Sequence, residues 1–146
     1  MEALLENELV TKTSGVVPTS QALAGKKVIG LYFSGSYCPP CRKFTPILEL
    51  VYDEVVEQKI DDFEIVLVSS DREEEKFAEY YADMPWLALP YEKRLLKAEL
   101  CDKFGVKTVP TLIFFNDKGE VIEREGRNFI TQTRDDLDAI FKHLRK

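Results

Sequence analysis

A short apolar run followed at once by two closely spaced cysteines is the feature that most restricts how this chain can fold. Residues 28–33 read Val-Ile-Gly-Leu-Tyr-Phe, a pattern typical of a strand buried on both faces of a sheet. Residues 34–36, Ser-Gly-Ser, form a turn signal, and Cys38-Pro39-Pro40-Cys41 comes next. In an open α/β sheet, reactive groups collect at the carboxyl ends of the strands. The order therefore predicts a buried strand that delivers two thiols to such an edge.

The two cysteines stand at the start of a predicted amphipathic helix. Apolar residues recur at steps of three and four along residues 44–55, so one face of this helix should pack on a core. Pro39 and Pro40 fit the first helical turn, where a missing N–H group loses no intrahelical bond. Pro46 lies inside the helix and is expected to kink it.

The rest of the chain alternates between strand and helix patterns. Strands are predicted at residues 9–12, 63–69, 111–115 and 121–124. Helices are predicted at residues 18–24, 72–82, 92–104 and from Thr133 to Leu144. Residues 84–90 contain two prolines and are predicted to form an apolar loop. Gly105 is expected to cap the 92–104 helix, and Thr133 to cap the last one with Asp136. Two long helical connections predict parallel strands, and the turn at residues 116–119 predicts an antiparallel hairpin. The expected class is α/β, a mixed central sheet flanked by helices on both faces.

The length and the net charge of the chain limit the number of domains and the kinds of binding partner that we expect. We expect one domain over residues 1–146, with residues 1–24 as an N-terminal extension packed on its core. The net charge of −6, from 20 Lys and Arg against 26 Asp and Glu, disfavours nucleic acid and anionic membranes as partners. The apolar runs are far shorter than the ~20 residues of a spanning helix, and the N-terminus lacks the basic region of a signal peptide. A cytoplasmic or nuclear monomer is the resulting expectation.

The cysteine spacing predicts dithiol chemistry. Cys38 falls at a helix N-terminus, where free N–H groups and the helix dipole favour the thiolate form, so we expect it to be the nucleophile. Cys41 is three residues further on, which places its Cβ atom about 5 to 6 Å away on the same helix face. Cys38 would attack a substrate disulfide, and Cys41 would then resolve the mixed disulfide. Pro39 and Pro40 remove two backbone donors from the sulfur, which predicts a less oxidising pair.

The two close cysteines could instead be ligands of a metal ion. A Cys-X-X-Cys unit can be half of a zinc site, but only Cys101 and His143 remain as ligands and neither has a second ligand beside it. We therefore expect no metal and no cofactor. Cys101 lies beside an apolar helix face and is expected to be a partly buried, inert thiol. His143 is expected to lie near a helix C-terminus.

Taken together, several motifs resemble the thioredoxin superfamily. They are Cys38-Pro39-Pro40-Cys41 after a buried strand, Pro46 within the helix, and Val109-Pro110-Thr111 before a later strand. Phe44-Thr45-Pro46 and the stretch 80–91, which contains Met-Pro-Trp-Leu-Ala, resemble its tryparedoxin and nucleoredoxin branch. The resemblance implies the thioredoxin fold, with Pro110 in the cis form beside the dithiol and the Val109 backbone free to pair with a substrate strand.

The resemblance also implies roles for individual residues. Tyr37, in place of the usual Trp, would line the substrate site together with Pro39 and Pro40. Asp71 and Arg127 match charged positions near the active site that bear on partner recognition; the alternative is that both are solvated surface charges. Tyr32 stands where ordinary thioredoxins have a buried Asp that assists proton transfer, which removes one candidate base.

The function implied by this branch is thiol-disulfide oxidoreduction. The Cys38–Cys41 pair would reduce protein disulfides such as those of peroxiredoxins. It would itself be reduced by a small dithiol such as trypanothione, or by a thioredoxin reductase. The alternative is a nucleoredoxin-like, redox-regulated protein-binding module, in which the state of the dithiol controls docking of a partner.

Overall fold

A mixed sheet organises the chain, and the computed structural model describes all 146 residues. Its strands are β1 Glu8–Thr11, β2 Gly15–Pro18, β3 Val28–Ser34, β4 Phe63–Ser69, β5 Leu87–Ala88, β6 Thr111–Asn116 and β7 Val121–Glu123. The seven strands lie in the order β2-β1-β5-β4-β3-β6-β7. The central strand is therefore β4, with β3 beside it, and both are buried at every residue.

Helices cover the sheet on both sides. They are α1 Glu2–Leu5, α2 Thr19–Ala22, α3 Pro39–Glu57, α4 Glu74–Ala82, α5 Arg94–Lys103, α6 Gly126–Thr133 and α7 Leu137–Leu144. Gly105 follows α5 with φ of 67°, the left-handed conformation of a C-terminal cap. None of the helices combines the length and the apolar character needed to cross a membrane.

Alternate residues of β3 point into two separate apolar cores. Val28 and Tyr32 pack with the buried residues of α3, α4, α6 and α7. Ile29, Leu31 and Phe33 pack with α5 and with the N-terminal segment, whose Leu5 and Leu9 are fully buried. Because successive side chains of a strand face opposite sides of a sheet, this division confirms the prediction of a mixed sheet with helices on both faces.

Strand direction differs from prediction at β6. β3 and β4 are parallel, as the helical connection predicts, but β6 is antiparallel to β3 although a long helical connection precedes it. Since β5 is parallel to β4, the chain leaves β5 at the carboxyl edge of the sheet, and α5 returns it to that same edge. Thr111 consequently pairs with Phe33, which brings the start of β6 next to the residues that follow β3.

Two smaller predictions were wrong, and one strand was not predicted. Residues 84–90 contain β5 and are not entirely loop, and β2 adds an edge strand to the sheet. The last helix begins after Asp136, whose carboxylate accepts a hydrogen bond of 3.0 Å from the Ala139 amide. Thr133 ends α6 instead. This helix starts at Gly126, where a Cβ atom would lie 2.5 Å from the Leu112 carbonyl oxygen, so only glycine allows α6 to pack this closely on β6.

Candidate active site

The two thiols lie at the N-terminus of α3 in very different surroundings. Cys38 is the N-cap residue, and its Sγ atom accepts a hydrogen bond of 3.3 Å from the amide of Cys41. Cys38 is 7% exposed, Cys41 is fully buried, and neither is in a disulfide. Pro39 and Pro40 occupy the intervening positions and are exposed. One thiol therefore reaches the surface while its neighbour lies beneath it.

The start of β6 closes one side of this site. The Val109–Pro110 peptide bond is cis, as the resemblance implied. The Cys38 thiol donates a hydrogen bond of 3.5 Å to the Val109 carbonyl oxygen. Pro110 is buried, whereas Val109 is only partly buried. The Val109 main chain thus lies directly beside the surface thiol.

Cys41 is held in its protonated form. Burial raises the pKa of the Cys41 thiol to about 11, and its hydrogen bond with Cys38 acts in the same direction; interaction with Ser34 partly opposes the rise. A thiol in this state is unreactive until it loses its proton, because the thiolate is the nucleophile. Cys41 must therefore lose its proton before it can react, and its burial separates that proton from solvent.

A network of hydroxyl groups surrounds the backbone of Cys41. The Thr45 hydroxyl donates to the Cys41 carbonyl oxygen at 2.8 Å and lies 2.6 Å from the Tyr32 hydroxyl and 3.0 Å from that of Tyr80. The Tyr80 hydroxyl also lies 2.7 Å from the Ser34 hydroxyl. Burial raises the pKa of both Tyr32 and Tyr80, so both phenols stay protonated. Tyr32 stands at the position where ordinary thioredoxins have a carboxylate, so in this chain that position belongs to a series of neutral hydroxyl groups.

This network opens to solvent through Tyr80. Thr45 and Tyr80 line a groove of about 880 Å³ whose wall carries more carboxylates than cations: Glu49, Asp71, Glu73, Glu79 and Asp83 against Arg42, Arg72 and Lys76. We call it the acidic groove. Ser34, Thr45 and Tyr80 were not predicted to be site residues. The spacing of Tyr32 and Ser34 on one face of β3, with Thr45 four residues after Cys41, was the only local signal.

Asp71 fixes the loop that leads to Cys38. Its carboxylate accepts bonds from the Ser36 amide at 3.1 Å, the Ser36 hydroxyl at 2.6 Å and the Ser69 hydroxyl at 2.9 Å. Asp71 is only 3% exposed, so it is not a solvated surface charge. Its place near the dithiol is that of a structural anchor for the residues preceding Cys38.

Tyr37 and Arg127 are both exposed and line different clefts. Tyr37 is 62% exposed and lies between two grooves, both of which it lines together with Asp71 and Arg72. Arg127 is exposed at the start of α6 and lines a small cleft with Thr108 and Pro110. The close packing at Gly126 explains why Arg127 lies at this position.

Cys101 and His143 lie apart from the dithiol chemistry. Cys101 is partly buried on α5, as expected, and burial raises the pKa of its thiol. His143, in the last turn of α7, is 2.8 Å from a Glu123 carboxylate oxygen. No group of three His, Cys, Asp or Glu side chains is arranged to hold a metal ion.

Comparisons with known proteins agree with this geometry. A family model described as thioredoxin-like matches residues 25–121. The tryparedoxin of Trypanosoma brucei brucei is 46% identical over 115 residues, which cover 78% of each chain. The nucleoredoxin of Xenopus laevis is 46% identical over 108 residues, which cover 74% of this chain but 26% of the relative. The chain thus spans about a quarter of the nucleoredoxins that it matches.

Solved structures give the same result. A tryparedoxin II structure in complex with glutathionylspermidine is 35% identical and superposes with a TM-score of 0.82, covering 97% of this chain and 94% of the other. The shared fold, the dithiol at the start of α3 and the sequence relatives together make this chain a redox protein of the thioredoxin superfamily, and it belongs to the tryparedoxin and nucleoredoxin branch of that family.

Proposed function

We propose that the protein reduces disulfides in other proteins, with Cys38 as the nucleophile and Cys41 as the resolving thiol. The observation that carries this assignment is the asymmetry of the pair. Cys38 reaches the surface beside the Val109 main chain, while Cys41 is fully buried and its pKa is raised. The greater exposure of Cys38 supports its role in meeting a large substrate, and the burial of Cys41 supports its role as the thiol that attacks Cys38 afterwards.

The reaction consists of two exchanges. The Cys38 thiolate attacks one sulfur of the substrate disulfide, a Cys38–substrate bond forms, and the other substrate sulfur leaves as a thiolate and takes up a proton. Cys41 then loses its proton and attacks Cys38 Sγ, which releases the second substrate thiol. The substrate gains two electrons, and the Cys38–Cys41 disulfide that remains carries the oxidation.

The hydroxyl network provides the route for the Cys41 proton. No carboxylate contacts the Cys41 side chain, but Ser34, Tyr80 and Thr45 are linked by hydrogen bonds toward the acidic groove. Each hydroxyl can accept one proton while it donates another. In this proposal the chain carries the proton outward as the thiolate forms, and Tyr80 is the residue through which it passes.

Substrate pairing is assigned to the exposed surface around Cys38. The partly buried Val109 offers main-chain polar groups to an extended segment, a mode of recognition that tolerates many sequences. Tyr37, Pro39 and Pro40 are exposed beside the thiol, and Arg127 flanks Pro110. Asp71 contributes indirectly, because it holds Ser36 and thereby the orientation of Tyr37.

The donor and acceptor are inferred from the relatives. Since a tryparedoxin structure contains glutathionylspermidine, a small dithiol such as trypanothione is our first candidate donor, and a thioredoxin reductase is the second. Peroxiredoxin-type peroxidases are the proposed acceptors. We expect the protein to act as a monomer in the cytoplasm or nucleus and to need no cofactor.

A second function is favoured by the nucleoredoxin relatives. In a redox-regulated binding module, the dithiol state would control docking of a partner without turnover. Steady-state reduction of insulin or peroxiredoxin disulfides separates the two functions. An oxidoreductase requires wild type to turn over with at least one donor among trypanothione, glutathione and thioredoxin reductase, and Cys38→Ser to be inactive. If wild type is no faster than Cys38→Ser with every donor, the binding module is the correct function.

A further inference from the structure

A second groove beside Cys38 carries an excess of positive charge. It has a volume of about 670 Å³, is lined by Tyr37 and Val109, and contains the cations Arg72, Arg94, Lys97 and Lys107. We call it the basic groove. None of these four side chains takes part in a salt bridge, although the whole chain has a net charge of −6. Four cations without a salt bridge, against a single carboxylate, are a local exception to the charge of the molecule.

The fold assembles these cations from separate parts of the chain. Arg94, Lys97 and Cys101 share one face of α5, since residues three and four apart lie together on a helix. Arg72 follows β4, and Lys107 precedes the Val109 segment. The groove therefore runs from α5 to Val109, whose carbonyl oxygen accepts the hydrogen bond from the Cys38 thiol.

Arg94 is fixed in place, which makes its charge a permanent part of the groove. Its guanidinium lies 4.1 Å from the centre of the Tyr91 ring and donates to the Ser69 carbonyl oxygen at 2.8 Å and to the Tyr91 carbonyl oxygen. Its Nη2 atom has no hydrogen-bond partner. The only carboxylate that lines the groove is Asp71, whose oxygens already accept bonds from Ser36 and Ser69.

We propose that the basic groove binds an acidic segment of the substrate protein, adjacent in sequence to the cysteine that Cys38 attacks. This inference rests on the proposed function and names the class of substrate that it favours. A chain paired with the Val109 main chain places its cysteine over Cys38, and its continuation on one side passes over Lys107 and Lys97. The acidic groove also borders Tyr37, but its five carboxylates outnumber its three cations, so it is the less favourable side for the same segment. The difference in charge between the two grooves thus favours one direction of the bound segment.

Peptide substrates test this directly. Three sets of disulfide-linked peptides of equal length carry two Asp, two Asn or two Lys residues on either the N-terminal or the C-terminal side of the cysteine. For the side that meets the groove, kcat/KM should rank Asp above Asn above Lys, with about a threefold to tenfold difference at each step. The differences should shrink as salt is raised, because screening weakens attraction between exposed charges.

Charge reversal identifies the surface responsible. The double variant Lys97→Glu/Lys107→Glu should invert the order, whereas Lys142→Glu/Lys146→Glu, an equal change of charge at two exposed positions near the C-terminus, should keep it. No preference in wild type, or the wild-type preference retained in the double variant, would overturn the proposal.

Binding separates this proposal from the proposed function. The same peptides, with serine in place of cysteine and a fluorescent label, are titrated against each protein by anisotropy. Turnover of the Asn peptides tests the oxidoreductase function alone, and the anisotropy order tests the groove even if turnover fails. Equal affinity for Asp and Lys peptides would contradict the docking proposal.

Discussion

The amide nitrogen of Cys41 donates a hydrogen bond to the Sγ atom of Cys38 across 3.3 Å. Because Pro39 and Pro40 have no N–H group, this is the one backbone donor that the first turn of α3 directs at the sulfur. The Cys38 thiolate is therefore stabilised by fewer hydrogen bonds than a helix N-terminus can provide.

Restoring a donor should make the dithiol more oxidising. In Pro40→Ala the new amide stabilises the Cys38 thiolate and hence the reduced state. A gain of about 1 kcal/mol raises the reduction potential by roughly 20 mV. Equilibration against dithiothreitol redox buffers measures the change, and Pro46→Ala, in the same helix beyond its first turn, is the control. An unchanged or lower potential in Pro40→Ala would contradict this account of the proline pair.

Removing the Tyr80 hydroxyl should slow the second exchange and spare the first. In Tyr80→Phe the link between the Ser34 and Thr45 hydroxyls is lost, so the Cys41 proton has no connected path outward. We expect resolution of a preformed Cys38 mixed disulfide to slow by about tenfold or more. Stopped-flow release of a chromophoric thiol reports that step.

The control for this experiment is Tyr52→Phe. It also removes a partly buried phenol hydroxyl, the one bonded to Glu64 at 2.8 Å, but lies outside the network. If both variants resolve the mixed disulfide at the wild-type rate, the network does not carry the proton.

The raised pKa of Cys41 predicts a steep pH dependence of resolution. With a pKa of about 11, the thiolate fraction of Cys41 increases about tenfold per pH unit throughout the neutral range. The resolution rate, measured from pH 6.5 to 8.5 on the same mixed disulfide, should rise accordingly without a plateau. A plateau near pH 7 would show that Cys41 ionises far more readily than its burial implies.

Neutralising Asp71 should loosen the loop before Cys38. Asp71→Asn weakens the bonds to Ser36 and Ser69, which should lower the free energy of unfolding by roughly 1 to 3 kcal/mol. The released loop should also raise KM for a protein disulfide, because Tyr37 loses its fixed position. Urea denaturation and steady-state assays measure the two effects, with the exposed Asp135→Asn as control. Wild-type stability in Asp71→Asn would be evidence against the anchoring role.

The parts of the site that sequence could predict are those fixed by local patterns. Cys38 and Cys41 at a helix start follow from a buried strand, a turn signal and two prolines. Pro110 beside them followed from a family resemblance, which the cis peptide bond supports.

The features that were not predicted depend on packing between distant segments. The hydroxyl network joins residues of β3, α3 and α4, and the basic groove joins α5 to two loops, so no window of sequence contains either one. The burial of Asp71 was not predicted, since it accompanies hydrogen bonds with Ser36, which lies 35 residues away in the chain. The predicted direction of β6 was wrong because a helical connection does not determine the edge of the sheet to which the chain returns. β5, with two residues, is too short to give a pattern.

Trapping of the mixed disulfide tests the central claim most directly. Cys41→Ser retains Cys38 and Cys101 but removes the thiol that would release a bound substrate. Incubated with an oxidised peroxiredoxin or insulin and analysed by peptide mass spectrometry, this variant should accumulate a disulfide-linked adduct at Cys38, and Cys38→Ser should accumulate none. An adduct at Cys101, or no adduct at Cys38 under conditions in which wild type turns over, would contradict the assignment of Cys38 as the nucleophile.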